Sequence, residues 1–206
     1  YVLSGRDRVE PSMLPGRALY YDCCYEVTPD NEIVWRWHSE EHAPELGIEL
    51  PLSADYDFGD WPHINTCEIL PESPTSARDA RFQAGNLLMS GRIINTIWVV
   101  DRESGSVVWT WGPGDLIGQH MPTMLPNGNL LIYDNGHLRT GRGYSRVLEL
   151  NPLTEEIIWQ YTATPKEAFF SPSRGSAERL PNDNTLIAES DSGRLFEVTP
   201  EGEVVW

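Results

Sequence analysis

Five histidines stand in the 206 residues, and two of them bracket one short segment. His120 closes Gly118-Gln119-His120, and His137 follows Asp134-Asn135-Gly136. A third, His63, precedes Asn65 by two positions, so on an extended strand both side chains point to one face. Arg92 ends the run Ser90-Gly91-Arg92. Imidazoles exchange protons near neutral pH, a guanidinium offers a fixed cationic fork, and amides donate without charge. Together these types suit the holding of an anion. The need for such a cluster is acute, because 31 acidic residues against 15 basic ones give a formal charge of -16, a field that repels anions. The same field argues against nucleic acid or an anionic membrane as partner and leaves a small molecule as the expected one.

Each residue also has a structural reading. A histidine on a strand is most often a hydrogen-bonded structural group, and Arg92 could pair with any of many carboxylates. His38 and His42 in "HSEEH" have i,i+4 helical spacing, but the segment lacks the extended helix of a metalloprotease motif, so a solvated loop is expected. His137 is expected to border a loop, with a secondary role at most. Cys23, Cys24 and Cys67 lack paired metal-ligand spacing and, being three, leave at least one thiol free; buried thiols are expected, with no metal and no cofactor. No apolar run approaches a transmembrane span, and "YVLSGRDRVE" lacks the basic-then-apolar pattern of a signal peptide.

Internal repeats say what must position these residues. Leu-Pro pairs begin at Leu14, Leu70, Leu125 and Leu180, which are 56, 55 and 55 residues apart. A second refrain, "YEVTPDNEIVW", "WVVDRESGSVVW", "LELNPLTEEIIW" and "FEVTPEGEVVW", ends at Trp35, Trp109, Trp159 and Trp206. Apolar residues between the refrains have period two or form short β-branched runs, and Asn127-Gly128 suits a tight hairpin. Each unit therefore reads as a four-stranded antiparallel meander, one blade of an all-β propeller, with the refrain tryptophan packed between neighbouring blades. Blades are expected to start near residues 11, 61, 118 and 174, with loop excursions over 36–60 and 161–174. The 206 residues then form a single propeller domain or a fragment of one, about four blades of a six-bladed ring, completed by missing blades or by self-assembly.

The repeat also aligns positions within the chain. Asn65, His120 and Gly175 each lie six residues before a Leu-Pro proline, and Arg92 stands six after Asn86 as Asn135 stands six after Asn129. The strand entering a blade is ordinarily its innermost, which turns His63, Asn65 and His120 toward one axis.

"DWPHINTCEIL", "NLLMSGRIINTIWVVDRESGSVVWTWG", "GQHMPTMLPNGNLLIYDNG" and "GSAERLPNDNTLIAESDSGRLFEVTPEGEVVW" resemble, in that order, the arylsulfotransferase family of β-propeller enzymes. The resemblance covers nearly all of the chain from Asp60 onward. It implies an enzyme that moves a sulfuryl group from an aryl sulfate donor to a phenolic acceptor through a sulfated histidine, without a nucleotide donor. By motif, His120 matches the nucleophile, while His63, Asn65 and Arg92 match the residues that hold the sulfuryl and bridging oxygens. His120, His63 and Arg92 are thus the expected catalytic residues, and Asn65, Asn135 and Ser176 the expected substrate-binding ones. In "SPSRGSAERL" the contact could come from Ser173, Arg174 or Ser176. The family's earlier His-His-Asp motif has no match before Asp60. The resemblance also implies a periplasmic or extracellular location. Two other readings are a non-catalytic propeller that binds through its loops and, suggested only by "VVDRESGSVVW", a quinoprotein-like dehydrogenase.

Overall fold

The computed structural model describes residues 2–8, 20–49 and 60–206. Among them the regular structure is strands and short 3-10 turns, with no α-helix. Strands β1 (Val2–Arg8), β2 (Tyr20–Val27) and β3 (Ile33–His38) form an antiparallel sheet, and β4 (Asp60–Trp61) adds to β2 in parallel. The second sheet is the meander β5 (Ile64–Ile69), β6 (Leu87–Gly91), β7 (Thr96–Val100) and β8 (Val107–Trp111). The third is β9 (His120–Met124), β10 (Leu130–Asp134), β11 (Arg146–Asn151) and β12 (Glu156–Tyr161). The fourth is β13 (Ser176–Arg179), β14 (Thr185–Glu189) and β15 (Arg194–Val198). Val205 N donates to Glu197 O and Glu197 N to Trp206 O, both at 2.9 Å, so the chain lays its last residues on β15 where the other meanders carry a fourth strand.

The chain is therefore an all-β partial propeller. Its first sheet departs from the expected meander. Leu14 to Trp35 is a shorter span than any other from Leu-Pro to tryptophan, which leaves too few residues for the same set of hairpins. The expected start near residue 11, the Leu14-Pro15 refrain and residues 50–59 of the first excursion lie outside the described residues.

Three cores join successive sheets. Tyr21, Cys24 and Trp37 meet Met89 and Trp98 between the first and second. Leu88, Val99 and Trp109 meet Leu130, Ile132 and Leu148 between the second and third. Leu131, Tyr133 and Val147 meet Ala177, Ile187 and Phe196 between the third and fourth. Strands β6, β7 and β10 are buried along their whole length, which explains their unbroken apolar runs, and each fully buried aliphatic side chain contributes about 1.5–3 kcal/mol. Three of the four refrain tryptophans, Trp35, Trp109 and Trp159, stitch sheet to sheet, whereas Trp206 is exposed and not packed as expected. Arg102 stacks over Trp35 at 4.8 Å and Arg179 over Trp159 at 5.1 Å, and Trp159 Nε1 donates to Pro200 O.

The entering strands lie side by side: β5 touches β1 and β9, and β9 touches β13. Two of them carry bulges at the aligned position. In β5 Ile64 pairs with Gly91 and Thr66 with Ser90, leaving Asn65 as the extra residue. In β9 His120 pairs with Tyr133 and Thr123 with Leu131, so the extra residue falls just after His120. Bulges re-aim side chains, and both stand where the candidate residues are.

Candidate active site

Two contacts define the state of His120. Its Nδ1 lies 2.8 Å from Asn135 Oδ1 and 3.1 Å from Gly118 O. Both oxygens are acceptors, so Nδ1 carries the hydrogen and donates it. The Asn135 amide cannot reverse to change this. Its Nδ2 donates to Ser171 O at 2.7 Å and to Arg174 O at 2.9 Å, and a reversed amide would set its oxygen against two carbonyls. With hydrogen on Nδ1, the in-plane lone pair of the neutral ring is on Nε2. Burial pushes the His120 pKa below its ordinary value; the bonds to Asn135 and Gly118 oppose that, and the charges of Arg92 and His63 add to it. The net effect keeps the ring neutral and nucleophilic around neutral pH.

The motif around His120 is built to present it. Gln119 is fully buried, and its Nε2 lies within 3.1 Å of Ser90 Oγ, Gly91 O and Thr96 O, which pins the third sheet's entry to the second sheet. Asn65 Nδ2 donates to Gln119 O at 2.7 Å, and Met121 N to Thr66 Oγ1 at 3.1 Å. Ile117 N donates to Asp134 Oδ1 and Gly118 N to Asn95 Oδ1. Asp134 is itself fully buried and paired with Arg139 and Arg146. Gly118 has φ +68°, and a Cβ there would fall 2.6 Å from the His137 ring, so glycine is required on two counts.

His63 and Arg92 are backbone neighbours at one end of the paired strands β5 and β6, where Arg92 N donates to His63 O at 3.0 Å. His63 Nδ1 lies 2.7 Å from Asp60 Oδ2, so its hydrogen is on Nδ1 and Nε2 is left for proton exchange. Between His63 and Asn65, Ile64 N donates to Asp22 Oδ2 at 2.6 Å, a buried support reaching over from β2. Arg92 Nη2 donates to Pro172 O at 3.3 Å. His63, Asn95 and Met121 all have positive φ, at 62°, 52° and 49°; such backbone costs on the order of 1 kcal/mol or more and persists where surrounding structure enforces it.

The model of the family described as Arylsulfotransferase (ASST) matches residues 17–206. The chain belongs to the arylsulfotransferase family. No curated protein matches it. Among solved structures this arylsulfotransferase chain is similar to a protein of unknown function from Bacteroides caccae, at 19% identity and a TM-score of 0.49, covering 90% of this chain and 53% of that one. It thus spans about half the length of that protein. It is also similar to a catalytically inactive virginiamycin B lyase from Staphylococcus aureus with quinupristin, at 11% identity and a TM-score of 0.46, covering 100% of this chain and 73% of that one.

In this arylsulfotransferase chain, His120, His63, Arg92, Asn65 and Asn135 are drawn together by the contacts above. Ser176 stands apart, in a cleft of about 410 Å³ between β9 and β13 that Met121, Thr123, Leu186 and Leu195 also line. Ser173 is engaged with Asp191 through both its amide and its hydroxyl. His137 was given a minor part by sequence and sits at the site: burial lowers its pKa, with Arg92 and His120 adding to the effect. Its buried Nδ1 finds no hydrogen-bond partner among the described residues. Asp60, Gln119 and Asp22 were also missed. Asp60 had a signal in its i,i+3 spacing to His63 and Gln119 in its place beside His120, but Asp22 is joined to the site only by folding. The "HSEEH" histidines lie elsewhere: His42 stacks on Trp37 and bonds Glu45, and the described residues contain no metal-ligand cluster.

Proposed function

We propose that this chain carries the centre of a sulfotransferase that moves a sulfuryl group from an aryl sulfate to a phenolic acceptor through a covalent adduct on His120 Nε2. The observation that carries the reading is the tautomer of His120, held with hydrogen on Nδ1 by an amide that cannot reverse. With Nδ1 committed to its two acceptors, Nε2 is the ring atom that can attack. In the first half-reaction Nε2 attacks sulfur, the bond from sulfur to the aryl oxygen breaks, and the leaving phenolate takes a proton, for which His63 is the proposed donor. In the second, the acceptor's phenolic oxygen attacks the same sulfur, the nitrogen–sulfur bond breaks, and the acceptor's proton returns to His63.

Sulfuryl transfer, like phosphoryl transfer, spreads charge over peripheral and leaving oxygens, so fixed donors supply most of the rate. Arg92 is proposed to hold the sulfuryl oxygens with Asn65, and Asn135 to orient His120, with Ser176 lining the approach of the aromatic groups. In the same reading the intact ring has six blades, the remainder coming from outside these residues or from self-assembly, and works outside the cytoplasm.

The test is the intact mass of the chain after brief exposure to a nitrophenyl sulfate. One sulfuryl adduct is expected, mapped to His120 and missing from His120→Ala. A folded chain that forms no adduct, or forms it equally without His120, refutes the proposal.

A further inference from the structure

Strands β2 and β5 belong to adjacent sheets and pack against each other. Cys24 on β2 is fully buried in the core between those sheets, and Cys67 on β5 is partly buried against the same cluster. Cys67 thus packs against the cluster that holds Cys24, and it acts on the Cys24 thiol, pushing its pKa up. Cys23 has the opposite strand parity: it pairs with Gly5 of β1, and its Sγ lies 3.5 Å from where a Cβ on Gly5 would stand. None of the three cysteines is in a disulfide. We propose that Cys24 and Cys67 are a disulfide-forming pair that links the first two sheets covalently beside the candidate active site.

The two thiols differ in access, and that sets the order of events. A small-molecule disulfide is the oxidant. The Cys67 thiolate attacks one of its sulfurs, the oxidant's sulfur–sulfur bond breaks, one thiol leaves, and a mixed disulfide remains on Cys67. Cys24 then gives up its proton and attacks the Cys67 sulfur, which releases the second thiol. One oxidant disulfide is reduced to two thiols while two protein thiols are oxidised to one disulfide. The neighbouring Cys67, with burial behind it, raises the Cys24 pKa, so the second step is the slow one.

The place of the link gives it a consequence. Two residues before Cys24, Asp22 holds Ile64 N between His63 and Asn65, and Tyr20 and Tyr21 pair with Asp60 and Trp61. A bond from Cys24 to Cys67 would tie that support to β5, which carries Asn65.

The experiment is to incubate the folded chain with oxidised glutathione, denature it, alkylate the remaining thiols and map the peptides without reduction. The expected result is loss of two hydrogens, a fall from three alkylated thiols to one, and a single linked pair joining residues 24 and 67. Cys23→Ser should keep the link. Cys67→Ser, a milder change than one at buried Cys24, should abolish it, together with the upward shift in melting temperature that oxidation produces in the unsubstituted chain. Three alkylatable thiols after prolonged oxidation, a link through Cys23, or a lasting glutathione adduct on Cys67 would overturn the proposal.

Discussion

Asn135→Ala tests the tautomer argument most directly. The substitution deletes the 2.8 Å acceptor of the His120 Nδ1 hydrogen but leaves Gly118 O at 3.1 Å, so control of the tautomer is weakened, not lost. A hydrogen bond of this kind is worth about 1 kcal/mol net, with an upper bound near 1.5, which converts to about a 5-fold and at most a 12-fold loss in the rate of adduct formation. The bond to Asn135 favours the protonated ring, so removing it lowers the His120 pKa further. The acid limb of the rate profile should then move to lower pH even as the plateau falls. Stability falls too, because Arg174 O loses its Asn135 donor and Ser171 O keeps only long contact with Ser145 Oγ; about 2–4 kcal/mol is expected. The assay is the burst of phenol release at saturating aryl sulfate across pH, with a urea titration beside it. A purely structural asparagine would lower stability and leave the acid limb in place. An unchanged limb and an unchanged burst rate in a folded variant would refute the reasoning.

Arg92→Lys keeps the charge but loses the fork and the bond to Pro172 O; the burst rate should fall about 100- to 1000-fold with stability changed by under about 1 kcal/mol. Gly118→Ala forces a side chain into positive φ and onto the His137 ring at 2.6 Å, and urea titration should show a loss of about 1–3 kcal/mol. His120 and His137 both have folded pKa values below the ordinary 6.5, so between the folded values and 6.5 the unfolded chain binds more protons. Stability should therefore rise with pH through that window and reach its full value above about 6.5. His120→Gln and His137→Gln should each flatten that rise in denaturant midpoints measured across pH, and an unaltered slope in both would refute the burial of these rings as neutral groups.

Much of the fold was legible because local chemistry and the repeat agreed. Asn127-Gly128 turns the chain, with Gly128 at φ +88°, and unbroken runs such as Leu130-Leu131-Ile132 are buried on both faces between sheets. The first sheet was less legible, since its Leu-Pro and tryptophan refrains stand too close together for the usual hairpins. At the site, Asn65, Arg92 and His120 stood out as residue types at aligned repeat positions, and His63 by its place two residues before Asn65. The supports did not: Asp22 lies 42 residues before Ile64, and no spacing rule joins them.

What the sequence determined by itself is periodic: the strands, their turns, the stacking of meanders and the family motifs, all of which follow from local propensity and from apolar patterns read within one unit. What only the tertiary structure decided is the state of the reactive atoms. Which nitrogen of His120 bears hydrogen depends on an amide 15 residues away whose own direction is imposed by the carbonyls of Ser171 and Arg174 in another loop. Hydrogen-bond direction and burial are properties of assembled neighbours, so they arise only once the sheets have packed.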